Sequence, residues 1–381
     1  MERDASNRQP ATPLRLHWFL PTHSDGREIA RDAARRQPRR EPDIGYLAQV
    51  AMAADRLGFT GVLTPAGLFC EDPWLVSAAL AAQTRHLKFM VALRPGLVAP
   101  TLVAQMAATY QRLSGNRLQL NIVTGGDADE QHRYGDWLGH DERYARADEF
   151  LSVVRGALRG EPYDFHGEYY RVTGATVTRP PAEPPEVFLG GSSAPAKSVA
   201  ARQADVYLCW GEPPKAMAEH AAEARTLAAA HGRHISIGTR FQVITRDTAA
   251  EAWQVAERLL DGMDPQRIEQ ARRRFSRSES EGQRRMAALH GWRSDGLEVY
   301  PNLWAGYGLL RPGAGIALVG SHDEVADRLA EYHALGVDHI ILSGQPHIEE
   351  AYWFGEGVLP RLRERGLLDG PTRAHEEALA C

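Results

Sequence analysis

The sequence predicts an α/β protein, a single (β/α)8 TIM barrel carrying insertions, and three observations point there. The chain has 381 residues, more than one average domain but within the range of an elaborated barrel. Eight short apolar runs rich in β-formers alternate with amphipathic helical stretches, the count for a closed parallel barrel. The composition, 43% hydrophobic and 24% charged, suits a large buried core. An open doubly wound sheet also alternates, but usually with fewer strands.

The strands are predicted at 14–20, 60–64, 88–94, 118–124, 187–191, 205–210, 235–245 and 338–343. Helical periodicity falls between them, for example at 46–57, 101–113, 142–158 and 322–335. One barrel domain is therefore expected over 14–366, between loose tails at 1–13 and 367–381. Two spacings are irregular. Residues 164–185 carry Pro180, Pro181, Pro184 and Pro185 and read as an extended excursion. Between the seventh and eighth strands the chain is too long for one crossover helix. Its polar, Arg-rich stretch at 272–293 and glycine-rich run at 306–315 read as a mobile insertion over 247–316. A lid over the barrel mouth is one reading and a plain surface loop the other.

Several function classes drop out. The net charge of −5 gives no reason to expect nucleic acid or a membrane surface as partner. Cys70, Cys209 and Cys381 are too few and scattered for a disulfide framework or a zinc site. The polar N-terminus does not read as a signal peptide, so a reducing cytoplasm is the expected setting. Dinucleotide, P-loop, metalloprotease and hydrolase-elbow motifs are all absent. The arginines Arg31, Arg35, Arg36, Arg39 and Arg40 read as a solvated loop, or as an electropositive rim for an anionic substrate.

In a barrel, site residues belong at the C-terminal ends of strands. Those positions hold Pro21-Thr-His-Ser-Asp-Gly26, Cys70-Glu-Asp72, Arg94-Pro95, Thr124-Gly-Gly-Asp127, Gly190-Gly-Ser-Ser193, Trp210-Gly-Glu212 and Ser343-Gly-Gln-Pro-His347. Arg240 and Gln242 stand at alternate positions of the seventh strand and face the same way. Gly191, Ser192 and Ser193 before a helix make a plausible phosphate cradle, since glycine admits close backbone approach and hydroxyls donate. Arg240 and Arg311 can each grip an anion through two N–H groups. Residue chemistry alone thus reaches an anion-binding barrel with a phosphate-bearing ligand.

Longer strings carry a resemblance. Trp18-Phe-Leu-Pro-Thr-His23, Val91-Ala-Leu-Arg-Pro95, Asn121-Ile-Val-Thr-Gly-Gly-Asp127, Trp210-Gly-Glu-Pro-Pro214 and Pro301-Asn-Leu-Trp-Ala-Gly306 resemble the alkanesulfonate monooxygenases. That family belongs to the bacterial-luciferase-like flavin monooxygenases, and the likeness runs through nearly the whole chain. It implies FMN as cofactor, in the form FMNH2 delivered by a separate NAD(P)H-dependent flavin reductase, and a homodimer or homotetramer. It implies that Tyr144, Gly191, Ser192 and Ser193 hold the FMN phosphate, and that Thr124, Gly125, Gly126 and Cys70 line the flavin. Trp210, Arg240 and Arg311 would face the flavin and the substrate. The implied reaction forms a flavin peroxide with O2 and cleaves a C–S bond, giving sulfite and an aldehyde.

Three departures complicate the substrate. Gln242 stands where the family pattern has histidine, and Gln345 where it has tyrosine. Leu68-Phe69 replaces a polar pair before Cys70. Glutamine exchanges neutral hydrogen bonds but cannot titrate. A larger organosulfonate fits this exchange, and so does an amine undergoing N-hydroxylation. A non-catalytic flavin-binding protein is disfavoured by the persistence of Cys70, Trp210, Arg240 and Arg311.

Overall fold

Each predicted apolar run becomes a strand because its side chains are buried on both faces, as in the fully buried run Leu118–Ile122. The computed structural model describes residues 13–26, 40–261, 263, 265–276, 278–309 and 311–369. In chain order the strands are β1 Arg15–Phe19, β2 Gly61–Thr64, β3 Lys88–Leu93 and β4 Leu118–Ile122. They continue as β5 Tyr163–His166, β6 Arg171–Ala175, β7 Glu186–Gly190, β8 Val206–Trp210 and β9 Ser236–Arg246. The last four are β10 Glu298–Tyr300, β11 Leu303–Trp304, β12 Ala317–Ser321 and β13 His339–Ser343. Parallel pairing runs β1-β2-β3-β4-β7-β8-β9-β13 and closes from β13 back to β1, so the eight predicted strands form the barrel.

The helices are α1 Ile44–Leu57, α2 Pro73–Ala81, α3 Pro100–Ser114, α4 Ala128–Arg133, α5 His140–Leu158 and α6 Ala194–Gln203. They continue as α7 Pro214–Ala230, α8 Ala249–Leu260, α9 Pro265–Phe275, α10 Glu281–His290, α11 His322–Ala334 and α12 His347–Glu364. Side chains set many of their starts. Asp43, Asp72, Ser193, Thr248 and Ser321 each cap the first turn of a helix through an oxygen that accepts a backbone N–H.

Both irregular stretches have more structure than the sequence suggests. The proline-rich excursion begins with the antiparallel hairpin β5–β6. The Arg-rich part of the insertion contains helices α9 and α10 rather than an irregular loop. The insertion then returns through β10, β11 and β12, and β12 pairs in parallel with residues 242–246 of β9. The eleven-residue β9 therefore serves two partners on one edge, β8 inside the barrel and β12 beyond it. The C-terminal boundary also moves. Leu367 and Leu368 pack against the core, and Leu14 N–H donates to the Leu367 carbonyl at 2.8 Å, so these residues do not belong to a loose tail. Arg31, Arg35, Arg36, Arg39 and Cys381 lie outside the described residues, while Arg40 is paired with Glu349 of α12. Among the described residues, no helix is long and apolar enough to cross a membrane.

Alternation along the strands fills the barrel in layers. Phe19, Leu63, Met90, Phe188, Val206, Leu208 and Ile341 form one interior apolar cluster. At the end opposite the strand C-termini, His17 and His339 stack with a 3.1 Å contact between Nε2 and Nδ1. Burial first, then Arg15 and Lys88, hold His17 at about 3, and His339 is pushed down as well. Glu186 is the acidic group facing this pair, 4.0 Å from His339 Nε2. Both imidazoles are thus neutral in the fold, whereas an unfolded chain protonates them below 6.5. Stability is therefore lost as pH falls from 6.5 toward 3. Urea unfolding is expected to show a loss of about 3 kcal/mol from His17 alone at about pH 4.5 relative to neutral pH. His17→Gln should flatten that dependence, and an unchanged acid slope would contradict the assignment.

Candidate active site

The eight barrel strands end at one rim, where the turns after β1, β2, β3, β4, β7, β8 and β13 converge. Register sets the level of each inward side chain. Arg240 stands opposite Trp210 of β8 and Ile341 of β13, and Gln242 stands opposite Ser343. Sequence reasoning placed these groups on separate strand ends, and barrel closure brings them together.

The centre of the rim is cationic. The Arg240 guanidinium lies 4.2 Å from the Phe19 ring centroid and its Nε has no hydrogen-bond partner. Burial first, then the charge of Arg311, pulls Arg240 down to about 10, so it remains charged at neutral pH. Arg240 keeps some accessible surface at this rim, so its guanidinium is open to a ligand there. Arg311 comes from the insertion, and its Nη2 is 2.9 Å from His23 Nε2. Arginine can only donate, so His23 Nε2 accepts and its ring is neutral. Burial, followed by the charges of Arg311 and His347, keeps His23 at about 4.

Cys70, Gln242 and Gln345, next to these arginines, are neutral. Burial pushes the Cys70 thiol up, against the opposing pull of the Thr22 hydroxyl and of Arg94 and Arg240. The Thr22 contact is loose, since its oxygen makes no hydrogen bond of good geometry. Cys70 is therefore a thiol at neutral pH, not a thiolate nucleophile. Gln242 Oε1 accepts from Ser343 Oγ at 2.8 Å. Gln345 Oε1 is buried without a partner.

An anion cradle lies beside this centre. Gly191 has φ 142°, and a Cβ there would lie 2.4 Å from Tyr144 Oη and 2.7 Å from Ala196 Cβ. Ser193 caps α6, and Ser192 precedes it with accessible surface. Tyr144 Oη donates to the Gly190 carbonyl at 3.3 Å, close to the hydroxyls of Thr124 and Ser193. Burial makes the Tyr144 phenol a weaker acid than usual, so it stays protonated and can donate.

The insertion is seated on this rim. The Gly126 carbonyl accepts from Ser278 Oγ and from Glu279 N–H, both at 3.1 Å. Gly126, expected to line a cofactor, thus meets the insertion. Buried Arg143 donates to the Thr124 and Gly125 carbonyls and pairs with Glu279 at 2.7 Å. A second clamp joins Arg285 of α10 to buried Glu212 at 2.7 and 2.6 Å, with His220 Nε2 also 3.2 Å from that carboxylate. Gly282 lets α10 approach Trp210, whose ring would be 3.1 Å from a Cβ at that position. Gln283 Oε1 accepts from Gly313 N–H at 3.0 Å, which holds the glycine-rich run next to Trp210. Neither clamp was visible in the sequence, because their partners lie 136 and 73 residues apart.

The family model for luciferase-like monooxygenases matches residues 14–339. The chain belongs to the luciferase-like monooxygenase family. It is accordingly an enzyme, a flavin-dependent monooxygenase. Solved structures share the fold of this luciferase-like monooxygenase. A riboflavin lyase solved with modified FMN and riboflavin is 23% identical, with a TM-score of 0.77 over 94% of each chain. The EDTA monooxygenase of Chelativorans sp. BNC1 is 22% identical, with a TM-score of 0.76 over 94% of this chain and 95% of its own. A long-chain alkane monooxygenase is 20% identical, with a TM-score of 0.72 over 94% of this chain and 92% of its own. At such identities the likeness speaks for the fold alone. The rim residues of this luciferase-like monooxygenase must carry any finer reading.

Proposed function

We propose that this protein is the oxygenating half of a two-component system. It takes FMNH2 from a separate NAD(P)H-dependent flavin reductase and uses O2 to cleave the C–S bond of an organosulfonate. The balanced reaction turns sulfonate, FMNH2 and O2 into aldehyde, sulfite, FMN, water and one proton. One observation carries the substrate assignment. Arg240 and Arg311 stand close enough at the rim to repel each other, and a bound sulfonate would turn that repulsion into two charge-assisted contacts.

The residues present suit FMN. Gly191, Ser192, Ser193 and Tyr144 offer an anion a close backbone approach, hydroxyl donors and the start of α6. When bound, reduced FMN supplies the activation of O2. The protein supplies the rest. Trp210 and the seated insertion exclude water, and Arg240 and Arg311 stabilise anionic oxygen. Gly191→Ala is expected to weaken FMN binding at least ~10-fold, because its methyl displaces Tyr144 and α6. Flavin fluorescence titration reads this directly, and unchanged affinity would remove the phosphate from this cradle.

A second substrate reading has its own support. Gln345 Oε1 is an acceptor without a donor, and an amine N–H would satisfy it. The deciding assay supplies FMN, NADH and a generic flavin reductase, then measures sulfite from a series of alkanesulfonates. Sulfite above the reductase-only control supports the sulfonate. No sulfite, with FMNH2 still oxidised and an N-hydroxylated amine formed, moves the substrate to amines.

A further inference from the structure

One buried carboxylate at the rim has no part in the arrangement described so far. Asp25 lies in the turn after β1 and is almost wholly buried. Its Oδ2 accepts from His347 N–H at 2.7 Å and from the Tyr46 hydroxyl. Its Oδ1 accepts from Gly26 N–H at 2.8 Å and meets His347 Nδ1 at 2.9 Å. Burial would raise Asp25, but the charge and hydrogen bonds of His347 and the Tyr46 hydroxyl outweigh it and hold the carboxyl at about 2. Asp25 is therefore an anion with no proton to give.

This fixes the chemistry of the imidazole. Facing an acceptor, Nδ1 is where a singly protonated His347 ring must carry its hydrogen, and in that form Nε2 presents a bare lone pair. Nε2 has no hydrogen bond among the described residues, yet it is not sealed from solvent-sized space. His347 opens α12, two residues after Gln345. Its ring centroid is 5.7 Å from that of Phe19, the same ring that Arg240 approaches at 4.2 Å. His23, bonded to Arg311, lies close enough to feel the charge of His347. The oriented imidazole thus shares the rim with both arginines.

The neighbouring groups are unsuited to accept a proton near neutral pH. Gln242 and Gln345 do not titrate. His23 Nε2 is committed to Arg311, and burial with the nearby Arg311 charge disfavours its protonation. Cys70 already holds its proton. We propose that His347, oriented by Asp25, is the proton acceptor of the oxygenation site, an inference that rests on the oxygenase reading above.

The step balances. After oxygen insertion, the substrate carbon of a sulfonate carries a hydroxyl and the sulfonate together. The Nε2–H bond forms as the substrate O–H bond breaks. The O–H electron pair becomes the second C–O bond of the aldehyde, and sulfite leaves with the C–S pair. The imidazolium, paired with Asp25, later returns its proton to water, which is the proton in the overall equation. Asp25 touches no substrate in this scheme and acts as a positioning residue.

The experiment has two arms. In the flavin-free protein, long-range 15N–1H correlation of labelled histidine reports the tautomer, and His347→Asn identifies the signal that vanishes. The expected neutral form has hydrogen on Nδ1 and none on Nε2. Asp25→Asn should invert it, because an amide N–H can donate to Nδ1. Hydrogen on Nε2 in the unaltered protein would overturn the proposal. The second arm measures product per O2 consumed in the reductase-coupled assay. His347→Asn should lower aldehyde and sulfite formation ~100-fold or more, with the hydroxylated sulfonate accumulating in their place and no rise in H2O2. Product formed at the unaltered rate would overturn the proposal. If the unaltered protein neither oxidises FMNH2 nor forms product, the oxygenase reading fails instead, and the tautomer remains readable. Should Asp25→Asn fail to fold, the His347→Asn comparison decides by itself.

Discussion

Arg240→Met is expected to lower product formation ~10³-fold and, at the same time, to make the fold more stable. The catalytic loss follows from removing a fixed, largely desolvated donor, and one such group is worth about 10²–10³ in rate. Methionine keeps an apolar stem against Phe19, so packing should survive the exchange. The gain in stability follows from the same burial. Arg240 is held from 12.5 down to about 10, so keeping it charged costs the fold about 3 kcal/mol at neutral pH. Its Nε is unpartnered and Arg311 is a like charge nearby, so the neutral side chain should recover about 1–3 kcal/mol of that. Sulfite release and calorimetric melting check both halves. A variant that lost activity and stability together would show that Arg240 holds structure rather than an anion.

Arg285→Ala is expected to release the insertion from the rim. Glu212 is buried and takes two bonds from Arg285, while its other partner, His220, is also buried. Against its burial, hydrogen bonds from His220 and then Arg285 hold the Glu212 carboxyl below its usual range. Removing one member of such a pair strands the other, with a loss of about 3 kcal/mol. For a chain of this size that lowers Tm by about 4 °C. Limited proteolysis should then cut within 278–293 much faster than in the unaltered protein. Uncoupled H2O2 should rise too, because α10 covers Trp210. Glu279→Gln, which weakens only the Arg143 clamp, should give a milder version of the same result, since Glu279 is far more exposed than Glu212. Equal protease resistance in both variants would mean the clamps do not hold the insertion.

The barrel strands were legible because each is a short continuous apolar run, and their predicted bounds differ from the observed ones by a residue or two. The hairpin β5–β6 was not, because its residues alternate between partial burial and exposure without a continuous apolar run. Helices α9 and α10 were hidden by arginine and serine, whose polarity reads as loop until tertiary contacts seat the segment. β12, between the glycine-rich run at 306–315 and the helical stretch at 322–335, was not legible as a strand, and it is one because the far half of β9 needs a partner. At the site, strand ends named Arg240, Gln242, Trp210, Ser192 and Ser193 in advance. Arg311 was named for its guanidinium and again by resemblance, but its contact with His23 spans 288 residues that no local pattern can bridge. The bond between Asp25 and His347, 322 residues apart, was beyond reach for the same reason.

The double partnering of β9 bears on how such enzymes can exchange parts. The insertion leaves the barrel after Arg246 and returns at Ala317, which is paired with Gln242. Four residues of strand rise put its two attachment points only about 13 Å apart. A segment rooted so narrowly can be replaced by one of different length for little added loop entropy. Because the return strand docks against Gln242 and the segment carries Arg311, the graft would bring its own half of the substrate pocket with it. Recombination between relatives at these two seams would therefore transplant substrate preference as one heritable cassette, leaving the turn at Gly191 untouched.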